Sequence, residues 1–302
     1  MVDASEVGAG LGSGFQVSGQ RETRNAELES AEGAKKHVAN PKLGKLFALL
    51  ILIPAFPTRV LSFCHELEVV RRPVLRLAAA AAPAPVSLEW MGHATFQITS
   101  SKGTRILTDP HGAFDLPRPT LPQHIVTTSH QHGPHSSVHM APGTPVILHG
   151  LTAGGENWQK ISTTIRDVSV YVVPAYHDKS QGMQRGKNAI FVFRVDDVCI
   201  AHLGDLGHVL TPPQLKLLGK IDILLVPVAG GMYTVTPDEA VQVTKQVNPR
   251  IAIPEHYWWP GGADRFAAGF PKVKRLNGPV LTVSKHELPQ PIEIVVLAGG
   301  IR

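Results

Sequence analysis

Thr127-Thr128-Ser129-His130-Gln131-His132-Gly133-Pro134-His135 places three histidines within six residues, directly after the apolar run His124-Ile125-Val126-Thr127. The run reads as a short strand. Side chains alternate along a strand, so His130 and His132 are expected to point the same way and grip one ion. Gly133-Pro134 is a turn signal that folds the chain back and brings His135 near as a third imidazole. Neutral imidazole is a common ligand for zinc and related metals. A solvated, histidine-rich loop would not need this strand-then-turn placement.

The spacing His130-x-His132-x-Pro134-His135 resembles the His-x-His-x-Asp-His signature of the metallo-β-lactamase superfamily, with Pro134 where that family has aspartate. Later segments extend the resemblance in order. Trp90-Met91-Gly92-His93-Ala94-Thr95-Phe96, followed by Leu107-Thr108-Asp109-Pro110, is similar to the opening of the superfamily's lactonase-like branch, typified by ascorbate-6-phosphate lactonases. His93 is either site-lining or structural, and Asp109 either caps a turn or supports a ligand histidine. The apolar run 168–176 ends at His177, and the hairpin 189–201 delivers His202-Leu203-Gly204-Asp205-Leu206-Gly207-His208, which resembles the family's Gly-Asp motif. Pro254-Glu255-His256-Tyr257 is similar to its last metal-histidine motif.

The resemblance covers 86–297 and implies an α/β fold, a four-layer αββα sandwich with two mixed sheets and the metal at one edge. It assigns His130, His132 and His177 to a first ion. His135, His256 and a bridging Asp205 go to a second. Pro134 removes one charged ligand, so zinc is expected as one or two ions, with other divalent metals as alternatives. The implied chemistry is hydrolysis of a lactone or related ester by metal-bound hydroxide, whose parent water falls in pKa from about 15.7 towards 7. Asp205 orients it, while His208, Tyr257 or Tyr233 stabilises the oxyanion. Phosphodiester hydrolysis and metal binding without catalysis are the alternatives, the latter because of Pro134.

Composition bounds the rest. The chain has 302 residues, 43% hydrophobic and 18% charged, with a formal net charge of +5. That suits a globular protein with a sizeable core. Without a basic block interleaved with aromatics, a small-molecule substrate is expected rather than nucleic acid. Two cysteines far apart in sequence, Cys64 and Cys199, exclude a disulfide framework and argue against a thiolate zinc site.

Residues 1–45, rich in Gly, Ser, Ala and Glu, read as a disordered polar leader. In 46–85, the apolar run Leu46 to Phe56 follows several lysines and precedes an Ala/Pro junction. This is the order of an export signal, too short for a comfortable membrane span, and points to a periplasmic or secreted protein, with a cytoplasmic one as the alternative. The hydrolase domain is expected over 86–302. Within it, 221–228, 250–254 and 292–297 read as strands, the last closing the sheet. Thr211-Pro212 and the capping box Thr236-Pro237-Asp238-Glu239 open helices.

Overall fold

Two faces of one sheet separate at neighbouring residues: Ile106 and Ile125 join the main hydrophobic core, while Leu107 and Val126 join a smaller cluster with Met91 and Met140. That period of two is the signature of strands covered on both sides. A computed structural model describes residue 64 and residues 85–113 and 115–299 of the chain. The leader, the apolar run and most of the Ala/Pro junction lie outside the described residues.

The first sheet uses β1 (Val86–Trp90), β2 (Phe96–Thr99), β3 (Arg105–Thr108), β4 (Ile125–Thr128) and β5 (Val146–His149). The second takes β6 (Ser162–Ile165), β7 (Val168–Tyr176), β8 (Lys187–Val195), β9 (Val198–His202), β10 (Ile223–Pro227) and β11 (Ile251–Glu255). Three more strands follow, β12 (Val273–Arg275), β13 (Val280–Val283) and β14 (Glu293–Val296). The orders are β13-β1-β2-β3-β4-β5 and β12-β14-β11-β10-β9-β8-β7-β6. Both sheets are mixed, as expected. Inner residues of both, such as Leu88, Phe96 and Ile98 with Phe191, Ile200 and Leu225, share one core.

Strand direction places the site. β9, β10 and β11 are mutually parallel, and β7 runs with them because two antiparallel pairings separate it from β9. In the first sheet β3 and β4 are parallel, and β1 runs with them through antiparallel β2. Within each sheet, then, the carboxyl ends of these strands share one edge. Backbone hydrogen bonds clasp the two edges: Ala189 N donates to Ser129 O at 3.0 Å, and His256 N to His93 O at 3.0 Å.

Helices are few. α1 (Gly133–Ser136) is a single turn, α2 (Pro212–Leu218) packs on β7, α3 (Pro237–Val247) on β10, and α4 (Asp264–Ala267) on α3. Thr211 and Thr236 form the capping boxes, and Pro occupies the first turn of each helix, where its missing N–H is harmless. No described helix is long and apolar enough to cross a membrane.

Several expectations need correction. β4 stops at Thr128, so His130 and His132 project from the loop beyond it rather than from the strand. Gly133-Pro134 opens α1 instead of a plain turn. β14 does not close its sheet, since β12 lies outside it, and β6, β12 and β13 were not anticipated. These strands are short and mostly exposed, so apolar alternation is too weak to reveal them. Cys64 and Cys199 form a disulfide across 135 residues of sequence, because β9 delivers Cys199 to the place where Cys64 is buried. Their separation along the chain carried no information about distance in space.

Candidate metal centre

Asp205 sits at the centre of a cluster of imidazoles. Its Oδ2 lies 2.9 Å from His177 Nε2, 3.2 Å from His135 Nε2 and 3.7 Å from His130 Nε2. Its Oδ1 is 3.1 Å from His256 Nε2. Each donor leaves the carboxyl end of a strand: His130 and His135 after β4, His177 after β7, Asp205 after β9, His256 after β11. Glycines permit the convergence. A Cβ on Gly204 would lie 2.6 Å from Ser129 Cβ, and one on Gly207 would lie 2.3 Å from the His177 carbonyl carbon. Asn188 holds the same loop, accepting from Asp205 N at 3.2 Å and donating to Leu203 O at 2.8 Å.

A second layer fixes which ring nitrogens face inward. Asp109 is fully buried; its Oδ1 accepts from Ser129 N at 2.7 Å. Its Oδ2 accepts from Ser129 Oγ and from His135 Nδ1, the latter at 2.9 Å. With the Ser129 hydroxyl proton committed to Asp109, His130 Nδ1 is the donor in its 3.0 Å contact with Ser129 Oγ. Both His130 and His135 therefore turn Nε2 towards Asp205, the arrangement in which a carboxylate behind an imidazole orients a metal ligand.

With no ion present, the charges of the site balance around Asp205. Burial alone would lower His135, but Asp205 and Asp109 on either side outweigh it and raise its pKa to about 10. Burial would raise Asp205, yet His135 and His256 hold it well below the usual carboxylate range. Burial, reinforced by His135, lowers His130 to about 3, so its ring is neutral and able to donate a lone pair.

The residues fit a divalent ion. Buried His130 Nε2 and Asp205 Oδ1 lack hydrogen-bond partners, even though His256 Nε2 stands close to Asp205 Oδ1 at 3.1 Å. Unpaired buried polar atoms are costly unless something else satisfies them. Three overlapping sets have ligand atoms within 4.8 Å of one another: His130, His177 and Asp205; His130, His132 and His135; His93, His135 and His256. Imidazole with one carboxylate oxygen is a donor set suited to zinc.

The cluster floors a cleft of about 440 Å³, lined also by Pro134, Gln184, Arg185, Tyr233 and Trp258. All six residues expected as metal ligands line it. His208 and Tyr257 do not. His208 accepts from Tyr176 N at 3.2 Å and contacts Val209 O at 2.9 Å, turned away along β7 into a different groove. Tyr257 is buried against Trp90, ring centroids 4.9 Å apart, and burial pushes its hydroxyl up to about 12. Neither is placed to meet an oxyanion in this cleft. His202 is buried with its Nε2 3.3 Å from Glu255 Oε2, beneath the floor.

Ser129, Asn188 and Asp178 are contributors that sequence reasoning missed. Asp178 accepts from Ser180 N and Oγ, Gly182 N, Gln184 N and Arg185 N, at 2.7 to 3.1 Å. It thereby shapes the loop that carries Gln184 and Arg185 to the cleft. The Asp-x-Ser-x-Gly pattern after His177 was the available signal.

Residues 87–256 match the family described as the Beta-lactamase superfamily domain. A UPF0173 metal-dependent hydrolase of Thermococcus onnurineus is 32% identical over 204 residues, 59% of this chain and 88% of the relative. A crystal structure from Thermotoga maritima, described as a Zn-dependent hydrolase of the metallo-beta-lactamase superfamily, is 33% identical. It covers 72% of this chain and 100% of its own, with a TM-score of 0.57. A metal-dependent hydrolase from Parabacteroides distasonis, 18% identical, shares the fold with a TM-score of 0.54 over 72% of this chain and 94% of its own.

Proposed function

Since the chain belongs to the metallo-β-lactamase superfamily, among its UPF0173 metal-dependent hydrolases, we propose that the bond it cleaves is a lactone or related ester and that zinc is its ion. One observation carries this reading: an ionised carboxylate ringed by imidazole nitrogens forms the floor of a cleft whose mouth bears Arg185 and Tyr233. A divalent ion held there supplies a Lewis acid and makes a water acidic enough to attack at neutral pH.

The protein's own residues supply the rest. Asp205, charged and acceptor-only, orients the attacking water. Asp109 and Ser129 hold His130 and His135 in the productive tautomer. Trp258, 4.6 Å from the His93 ring, walls one side of the cleft and excludes water from the ester's apolar face. Arg185, its guanidinium 4.7 Å from the Tyr233 ring centroid, offers donors at the mouth for a carbonyl or anionic substituent. We also propose an oxidising compartment, periplasmic or secreted, which the Cys64–Cys199 disulfide supports.

The test is a hydrolysis screen over lactones, carboxylic esters and phosphodiesters, with zinc-loaded and chelator-treated protein. Lactone or ester turnover that disappears with chelator and returns with zinc is expected. Turnover confined to phosphodiesters overturns the substrate class, and a zinc-loaded protein inert on all three favours a metal binder without catalysis.

A further inference from the structure

We propose that His93 is a metal ligand, completing with His135 and His256 a three-nitrogen second centre in place of the carboxylate that Pro134 removes. The inference rests on the metal-centre reading above and adds a residue to it. Pro134 lines the cleft but has no side-chain donor and no N–H. Without a replacement, that half of the site would have only two imidazoles and a share of Asp205.

His93 stands where the replacement is needed. Its ring is 3% exposed, with centroid distances of 4.0 Å to His256 and 4.5 Å to His135. Its Nδ1 is buried without a hydrogen-bond partner. One ring nitrogen from each of the three histidines falls within 4.8 Å of the others. A packing role alone does not explain three imidazoles gathered with a nitrogen of each within 4.8 Å of the others.

The backbone is committed to this placement. His93 has φ 53°, a conformation uncommon for a non-glycine residue. Its carbonyl accepts from Trp90 Nε1 and from His256 N, both at 3.0 Å, and so ties its loop to the strand end bearing His256. Strain held in place by surrounding bonds is typical of functional positions. The two halves then match, with His130, His132 and His177 on one side, His93, His135 and His256 on the other, and Asp205 between.

The experiment measures zinc per full-length chain by elemental analysis after dialysis, and zinc affinity by titration calorimetry. The variants are His93→Asn and His93→Gly, both tolerant of positive φ. Circular dichroism confirms that each is folded. The unaltered protein is expected to hold two zinc ions. Each variant should lose one, or bind it weaker by more than about a hundredfold, since loss of outer-shell partners alone weakens metal binding by about 10–100-fold. Adding Pro134→Asp to His93→Gly should restore the second ion. Folded variants with unchanged stoichiometry and affinity overturn the role of His93 while leaving the metal centre intact. An unaltered protein that binds no zinc overturns both.

Discussion

Replacing Asp109 by asparagine changes one atom's chemistry in a fully buried position, and its consequences can be followed bond by bond. The carboxylate accepts three hydrogen bonds, from Ser129 N, Ser129 Oγ and His135 Nδ1. Asparagine keeps one acceptor oxygen and brings an NH₂ that has only donors to meet. If the oxygen stays on Ser129 N, the NH₂ faces His135 Nδ1, which must then become the acceptor. The ring proton moves to Nε2, the atom 3.2 Å from Asp205, and that nitrogen no longer has a lone pair for an ion. Loss of such supporting groups weakens metal binding by about 10–100-fold. That range corresponds to about 1.4–2.7 kcal/mol. Zinc affinity measured by competition with a chromophoric chelator is expected to fall by that factor in Asp109→Asn, and by less in Ser129→Ala, which leaves the carboxylate on His135. A folded Asp109→Asn protein with unaltered zinc affinity would refute the assignment of His135 as a tautomer-controlled ligand.

Alanine at His130 or His132 should strip zinc from the first centre while leaving far-ultraviolet circular dichroism unchanged; full occupancy in both variants contradicts the ligand set. Asp178→Ala should loosen the loop 178–186 by about 1–3 kcal/mol, the usual cost of unsatisfied donors, and limited proteolysis should show earlier cutting there. Burial would raise Asp178, but its hydrogen bonds hold it down to about 2. Its contribution is therefore complete above the unfolded value near 3.9 and disappears as pH falls towards 2. Urea unfolding followed from pH 6 to pH 3 should show Asp178→Ala approaching the unaltered protein at the acid end, and parallel curves argue against the carboxylate. Reduction of Cys64–Cys199, which closes a loop of 135 residues, should destabilise the fold by about 5 kcal/mol on the chain-entropy view. Equal melting temperatures with and without reductant count against that bond.

The parts of the fold legible in the sequence were those with strong local signals. Val168–Tyr176 matches its expected bounds because its apolar content is dense. Thr236 and Glu239 announced α3 through a capping box that the structure contains. The gathering of His130, His132, His135, His177, Asp205 and His256 around one cleft followed from family order rather than periodicity. Sequence could not show that His208, three residues beyond Asp205, turns to Tyr176 N. Nor could it show Tyr257 turning inward on Trp90, next to a histidine that turns outward to the cleft. Both choices are made by the backbone after a strand ends, where side-chain direction no longer alternates.

Backbone conformation at these strand ends also explains why the inner layer was hardest to read. Seven described non-glycine residues have positive φ, and three of them, His93 at 53°, Asp109 at 33° and His256 at 59°, surround this one centre. Glycine is the usual residue at such positions, with Asn, Asp and His enriched among the exceptions, and no hydrophobic period marks them in the sequence. The conformations persist because other bonds determine them. His93 O holds His256 N, Thr95 Oγ1 donates to Asp109 O at 2.6 Å, and Asp109 N donates to Thr127 O at 2.9 Å. Each of these contacts joins segments far apart in the chain, so the strained turns form only once the strands are assembled. The groups that fix ligand direction, Asp109 and the His93 carbonyl, belong to the clasp between strand ends as much as to the chemistry.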